Sequence, residues 1–112
     1  MQKGIKYHHM GIPTQTKRDG EVFDNKYKLW LVTSDKSPYG VEWLRFEKDC
    51  PFPEIIKTVP HVGFEVENMD KAIAGKKVLV GPVNLNEKLR IAFIEDNGSP
   101  IEFLEFKKKA NA

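Results

Sequence analysis

The sequence has one cysteine, no long apolar run and almost no net charge, and each absence excludes a class of protein. Cys50 cannot form an internal disulfide, which favours a cytoplasmic location over secretion. No apolar run approaches the ~20 residues of a membrane span, and residues 1–4 do not start a signal peptide. The spacings of glycines fit neither GxGxxG nor a P-loop, so these nucleotide-binding classes are not indicated.

The charge balance argues against nucleic acid and anionic membranes as partners. Lysine and arginine number 18 against 16 acidic residues, a net charge of +2. Three of the positive charges belong to the tail lysines Lys107, Lys108 and Lys109, so the body of the chain has no basic surplus. We therefore expect a small-molecule substrate as the partner, with no nucleic acid and no membrane.

Two short motifs occur twice, in the same order. Residues 9–12 (HMGI) and 61–64 (HVGF) both read His-apolar-Gly-apolar. Residues 41–46 (VEWLRF) and 101–106 (IEFLEF) both read branched, Glu, aromatic, Leu, charged, Phe. Because two matches recur in one order, a duplication is a better explanation than chance.

The duplication predicts a single domain over residues 1–112, with half-units at about 1–50 and 55–112. The segment between the two motifs is about two helical turns longer in the second half. There, Asn68 can cap a helix over residues 69–74, which carry one apolar stripe. The matching residues 15–20 carry no stripe and are predicted to form a loop. The second half thus reads βαβββ, and the first reads as the same unit without its helix.

Four residues in repeat-related places are candidates for chemistry. Alternation along their strands turns His9 and His61 away from the most apolar face. Glu42 and Glu102 lie on strands that are apolar on both sides, and a buried carboxylate needs a partner, a proton or a metal. Each residue alone has an ordinary explanation, an ion pair or a core histidine, but together they predict one divalent-metal site. His8 should point to the opposite face of a regular strand, as a surface histidine.

At these motifs the sequence resembles the vicinal oxygen chelate superfamily, which includes glyoxalase I, bleomycin-resistance proteins and dioxygenases. The resemblance implies an α+β fold in which two βαβββ-type units form a U-shaped mixed sheet around a metal. In this chain the first unit lacks its helix and carries a loop from Thr14 to Lys26 instead. The opening-strand ligand of the family matches His9 and His61, and the closing-strand ligand matches Glu42 and Glu102.

The resemblance also implies an activity. A ligand set of His9, Glu42, His61 and Glu102 is similar to that of glyoxalase I and would hold zinc, nickel, iron or manganese. The implied reaction is proton abstraction next to a carbonyl, with the metal stabilising the enediolate, as in a glyoxalase-like lyase or isomerase. Glu42 or Glu102 would be the base.

A second class of function is a metal-free binding protein of the bleomycin-resistance type. Trp30, Trp43 and Phe103 would then supply aromatic walls for a flat or cationic ligand, although core packing explains these residues equally well. The presence of bound divalent metal would discriminate between the two classes.

We also expect a homodimer. Without its helix, the first half would leave a sheet segment bearing Tyr27, Leu29, Trp30 and Leu31 uncovered, and exposed apolar patches mark association surfaces. The alternative is that the loop Thr14–Lys26 folds back over the sheet as a lid.

Overall fold

The structure, a computed structural model, describes residues 2–107, so Lys108 and Lys109 of the tail lie outside the described residues. Eight strands form one mixed sheet, with two short helices. In chain order the elements are β1 (Ile5–Pro13), β2 (Val22–Asp24), β3 (Leu29–Val32), a 3₁₀ turn (Ser34–Lys36), β4 (Val41–Phe46), α1 (Glu54–Thr58), β5 (His61–Val66), α2 (Met69–Ile73), β6 (Lys77–Asn86), β7 (Leu89–Asp96) and β8 (Ser99–Phe106).

The strand order is the same in both halves of the sheet. The full order is β2-β3-β4-β1-β5-β8-β7-β6, with β1 and β5 antiparallel at the centre. β1 pairs in parallel with β4, and β5 pairs in parallel with β8. Read outward from the centre, each half therefore repeats one connectivity. The predicted α+β class with a curled mixed sheet is confirmed, and so is the missing helix, because residues 14–21 between β1 and β2 are not helical.

Helix α2 covers what we call the outer face of the sheet in the second half. The side chain of Asn68 accepts a hydrogen bond from the backbone N–H of Lys71 at 3.1 Å, as expected for an N-cap. Glu105 accepts a second hydrogen bond, from the N–H of Met69 at 2.7 Å. Met69 is fully buried against outer-face residues of β5, β7 and β8: Val66, Ala92, Ile94 and Phe103. Packing of this one apolar stripe fixes a helix too short to be stable alone.

In the first half, the segment 14–21 covers the outer face instead. The guanidinium of Arg18 lies 3.9 Å from the ring centroid of Trp43. Arg45 donates two hydrogen bonds to the carboxylate of Glu21, at 2.8 and 2.9 Å. The short strand β2 lies inside the segment Thr14–Lys26, which the sequence predicted to be a loop. It forms the edge of the sheet next to β3. Three residues are too few to show a strand period, which is why the sequence did not indicate it.

The opposite, inner face of the sheet has its own core beneath helix α1. Ile56 of α1 is fully buried against three residues of β7 and β8, Ile91, Phe93 and Leu104. Pro53 precedes this single helical turn, in the short stretch between the two predicted half-units. The inner core therefore lies on the sheet face opposite the core beneath α2.

Among the described residues, no helix is long and apolar enough to cross a membrane.

Candidate metal centre

The two histidine motifs face each other across the central strands. In the antiparallel ladder of β1 and β5, His9 lies opposite Gly63, and Gly11 lies opposite His61. A Cβ atom built on Gly11 would overlap the imidazole of His61, and one built on Gly63 would overlap the imidazole of His9. The glycine of each motif thus makes room for the histidine of the other, so the two rings meet on the inner face.

The glutamates enter through equivalent registers. Gly63 pairs with Glu102 in the parallel ladder of β5 and β8. Gly11 pairs with Glu42 in the parallel ladder of β1 and β4. Each glutamate is thus placed beside a glycine that accommodates an imidazole, which is the pattern that the duplicated motifs indicate.

His9, His61 and Glu102 bring three donor atoms together. Nε2 of His9 is 3.1 Å from Oε1 of Glu102, Nε2 of His61 is 3.2 Å from the same oxygen, and the two Nε2 atoms are 3.3 Å apart. The exposed fractions are 1% for each histidine and 6% for the glutamate. Three buried donors therefore form a nearly equilateral triangle in the middle of the sheet.

The size of this triangle fits a divalent metal ion. Ligand atoms about 2.1 Å from one zinc ion at a tetrahedral angle are roughly 3.4 Å apart, and at a right angle roughly 3.0 Å. The three observed separations fall between these two values. Two imidazole nitrogens and one carboxylate oxygen are a common donor set for zinc, nickel, iron and manganese. The three side chains could therefore bind a metal ion with little change in the distances between their donor atoms.

Electrostatics couple the glutamate to the two rings. Burial alone would raise the pKa of Glu102, but hydrogen bonds from His61 and His9 outweigh it and lower this pKa to about 2. Burial disfavours the imidazolium of His9, yet the hydrogen bond and charge of Glu102 raise the pKa of His9 above its ordinary value. Without metal, the centre is therefore held by a charge-assisted pair, and a metal ion must displace the proton on His9.

Glu42, the fourth predicted ligand, lies outside this group. Among the described residues, the donor atoms that lie within 4.8 Å of one another belong to His9, His61 and Glu102. Glu42 lines the same cavity as His61 and Glu102. Burial raises the pKa of Glu42, and the negative charge of Glu102 raises it further. Its carboxyl group therefore holds a proton more readily than an exposed one.

The cavity beside the triangle is small and mostly apolar. Its volume is about 80 Å³, and its polar lining consists of Asp24, Glu42, His61 and Glu102. No lysine or arginine is among the described residues that line it. The apolar wall includes Leu29, Leu31, Leu44, Phe46, Phe52 and Phe93.

The three aromatic residues suggested as cleft walls lie elsewhere. Trp43 packs under Arg18 and Phe103 belongs to the core beneath α2, both on the outer face. The indole N–H of Trp30 donates to the carboxylate of Glu47 at 2.8 Å. Alternation places these residues opposite the cavity, whereas its aromatic lining consists of Tyr27, Phe46, Phe52 and Phe93.

His8 is exposed, as predicted for a surface histidine, but the prediction that it points to the opposite face from His9 is wrong. The ladder of β1 and β5 shifts register between Tyr7 and His9, so that His8 and His9 together oppose Gly63. Nδ1 of His8 lies 2.8 Å from Nδ1 of His9. A bulge depends on the partner strand, so the sequence of β1 alone carried no signal for it.

The fold and this centre together define a small α+β protein with a curled eight-stranded sheet and a buried His/His/Glu group. No protein-family model matches the sequence, and no curated protein matches it. The structure is similar to that of a hypothetical protein from Bacillus halodurans C-125, with a TM-score of 0.67 and 16% identity over 98% of this chain and 100% of that chain. It is also similar to methylmalonyl-CoA epimerase from Mycobacterium tuberculosis, with a TM-score of 0.51 and 13% identity over 95% of this chain and 89% of that chain. At these identities the similarity is one of fold.

Proposed function

We propose that this protein is a metal-dependent, glyoxalase-like lyase or isomerase that acts on a small carbonyl-containing substrate. The observation that carries the proposal is the triangle of Nε2, Nε2 and Oε1 atoms, with sides of 3.1 to 3.3 Å, buried at the centre of the sheet. The buried His/His/Glu donor set favours a metal-dependent enzyme over a metal-free binding protein, and the fold similarity to an epimerase is compatible with this. Membership of the vicinal oxygen chelate superfamily is part of this proposal.

His9, His61 and Glu102 would hold the metal. A bound divalent cation supplies Lewis-acid chemistry, polarising the substrate carbonyl and stabilising the charge left by proton removal. Three protein ligands leave further coordination positions for substrate oxygens, as in other catalytic metal sites. Gly11 and Gly63 leave the space that the rings of His61 and His9 occupy, so both rings can approach the centre.

Glu42 would be the base that removes the proton. It lines the substrate cavity next to Glu102 and His61 but lies outside the ligand triangle. Its raised pKa brings it closer to neutral pH, where a general base works best. Glu42 would thus accept the proton from the carbon next to the carbonyl and return it to carbon in an isomerisation. In an elimination, it would give the proton to the leaving group of the substrate as the bond from that group to carbon breaks.

The cavity restricts the substrate by size and charge. A volume of about 80 Å³ holds only a few heavy atoms, since one water needs roughly 10–15 Å³ on the same measure. The apolar wall favours a short hydrocarbon or aromatic portion beside the carbonyl. Because no cationic side chain lines the cavity among the described residues, the part of the substrate held there should be uncharged.

The test is metal binding by the purified, untagged protein. We expect wild type to bind zinc, nickel or manganese with near-unit stoichiometry by elemental analysis, and to melt at a higher temperature with added metal. Glu102→Gln keeps the size of the side chain but removes its charge, so it should lose most of this response.

Glu95→Gln is the matched control. Glu95 lies on the neighbouring strand β7, and among residues 2–107 its ion pair is with the exposed Lys77, at 3.2 Å, where an ion pair contributes little. This variant should respond to metal as wild type does. Equal responses of the two variants, or no response of wild type to any of the metals, would overturn the proposal in favour of metal-free binding.

A further inference from the structure

We propose that His8 is a positioning residue that holds the ring of His9 through a bond between their Nδ1 atoms, so that Nε2 of His9 faces the metal centre. As far as the metal is concerned, this inference rests on the proposed function. The orientation of His9 itself rests only on contacts within this chain.

A β-bulge creates the contact. In the ladder of β1 and β5, Tyr7 pairs with Phe64 and His9 pairs with Gly63, which leaves His8 as the extra residue. Tyr7 contacts Phe64 edge to face, with ring centroids 6.4 Å apart, on the outer side of the sheet. As the extra residue of the bulge, His8 lies beside His9, and their rings meet edge to face with centroids 5.1 Å apart.

The hydrogen bond orders the two nitrogens of His9. A distance of 2.8 Å between the Nδ1 atoms requires one ring to donate and the other to accept. Nε2 of His9 is committed to Glu102 at 3.1 Å. If Nε2 of His9 gives up its proton to bind a metal, the proton on Nδ1 can stay between the two rings. His8 therefore acts on His9 as a hydrogen-bond partner outside the ligand set does on a metal-binding histidine. It holds Nδ1, so that Nε2 faces the metal.

The two histidines of the triangle differ in this respect. Nδ1 of His61 is buried and has no hydrogen-bond partner among the described residues. His61 is instead fixed by packing, with the ring of Phe93 at 5.0 Å between centroids. His8 is itself supported by Phe106, whose ring centroid is 5.8 Å away. The duplicated motif thus carries a hydrogen-bonded orienting group on one histidine only.

The first measurement needs no metal. In the metal-free, ¹⁵N-labelled protein we expect a scalar coupling across the hydrogen bond between the Nδ1 nuclei of His8 and His9. The variant His8→Asn keeps an acceptor oxygen at the position of Nδ1, whereas His8→Leu keeps similar bulk without an acceptor. A missing coupling in well-ordered wild-type protein would overturn the proposed orientation.

The second measurement is zinc affinity. We expect His8→Leu to bind zinc about 10–100-fold more weakly than wild type, the range typical for loss of an outer partner, and His8→Asn to recover most of that loss. Tyr7→Leu changes the neighbouring residue on the outer face and should bind as wild type does. Urea unfolding of the metal-free variants separates loss of folding from loss of positioning.

The outcomes separate the two proposals. Wild-type affinity in His8→Leu, or no recovery in His8→Asn, would overturn positioning by His8 while leaving the metal centre intact. Absence of zinc binding in wild type would overturn the proposed function, and the coupling between the Nδ1 nuclei would then decide the orientation of His9 alone.

Discussion

A carboxylate as deeply buried as that of Glu102 is stable only because two imidazoles bind it through one oxygen. In the metal-free protein, the imidazoles offset the negative charge of Glu102. The same three side chains provide the donor atoms that a metal ion would need. The same contacts make the centre sensitive to pH, because the pKa of Glu102 and that of His9 are shifted in opposite directions.

The stability of the metal-free protein should pass through a maximum with pH. The pKa of Glu102 is lowered to about 2, so its contribution is present above its ordinary pKa near 4.5 and is lost as pH falls towards 2. The pKa of His9 is raised above 6.5, so its contribution is complete below 6.5 and is lost as pH rises through the raised value. Urea unfolding followed over a pH series should show this decline on both sides.

Added zinc should reverse the trend on the alkaline side. Zinc competes with the proton on His9, so zinc affinity and the zinc-dependent gain in stability should increase as pH rises through the pKa of His9. A zinc-dependent gain that stays constant from pH 5 to 8 would contradict the assignment of His9 as a ligand.

Glu42 and Glu102 should separate into two roles. We expect Glu42→Gln to keep zinc affinity within a few-fold of wild type, because Glu42 lies outside the donor triangle. Its turnover, followed by exchange of solvent deuterium into a small carbonyl substrate, should fall about 10²–10⁴-fold through loss of the base. If Glu42→Gln weakens zinc binding as strongly as Glu102→Gln does, Glu42 is a fourth ligand, as the sequence motif suggested.

At the scale of elements, the registers of the central strands assemble the site. β1 and β5 are offset so that each histidine meets a glycine, and β4 and β8 add their glutamates beside those glycines. The glycines are therefore needed for a close approach of side chains, whatever their backbone angles.

The variant Gly63→Ala tests this close approach. The added methyl group would overlap the ring of His9, and we expect a loss of about 1–3 kcal/mol in the free energy of unfolding. Zinc affinity should fall as well, because His9 must move. In a His9→Ala background the same substitution should cost much less, a non-additivity that a double-mutant cycle measures. If Gly63→Ala lowers the free energy of unfolding equally in both backgrounds, the loss comes from the backbone at this position and not from the ring of His9.

Elements with strong local signals could be predicted, and those set by tertiary contacts could not. The Asn68 cap and its apolar stripe predicted α2, and the repeated hexapeptides predicted β4 and β8. α1 is a single turn fixed by the burial of Ile56, and β2 is a three-residue edge strand. In the site, the motifs indicated three residues that the structure brings together. The bulge that turns His8 to His9 depends on pairing with β5, which no local pattern shows.

At the scale of the whole molecule, the two halves cover their outer faces differently. α2 covers the second half, whereas Arg18 and Glu21 cover Trp43 and Arg45 in the first. Leu29 and Leu31, which the sequence suggested were uncovered, line the inner cavity instead. The segment 14–21 thus folds back over Trp43 and Arg45 on the outer face, which is the face opposite the cavity.

Exposed apolar side chains nevertheless remain on the outer face near the sheet centre. Tyr7 is 52% exposed, Met10 is 36% exposed and Tyr39 is 83% exposed. Tyr7 and Met10 lie on β1 opposite outer-face residues of β5, and the N–H of Met10 donates to the carbonyl of Gly40, next to Tyr39. We infer that these three exposed side chains form an apolar patch, with Tyr39 at its edge beside residues 16–19.

We propose that this patch pairs two copies of the chain. Apolar side chains grouped on an exposed sheet face favour association, and a second copy would bring the same patch in a symmetric contact. Light scattering at micromolar concentration should give the mass of a dimer, and Met10→Glu should shift it towards monomer by burying a charge at the contact. Val78→Glu, an exposed apolar position on the edge strand β6, is the control and should stay dimeric. A monomeric mass for wild type across the concentration range would exclude the dimer, and dissociation by Val78→Glu instead would move the contact to β6.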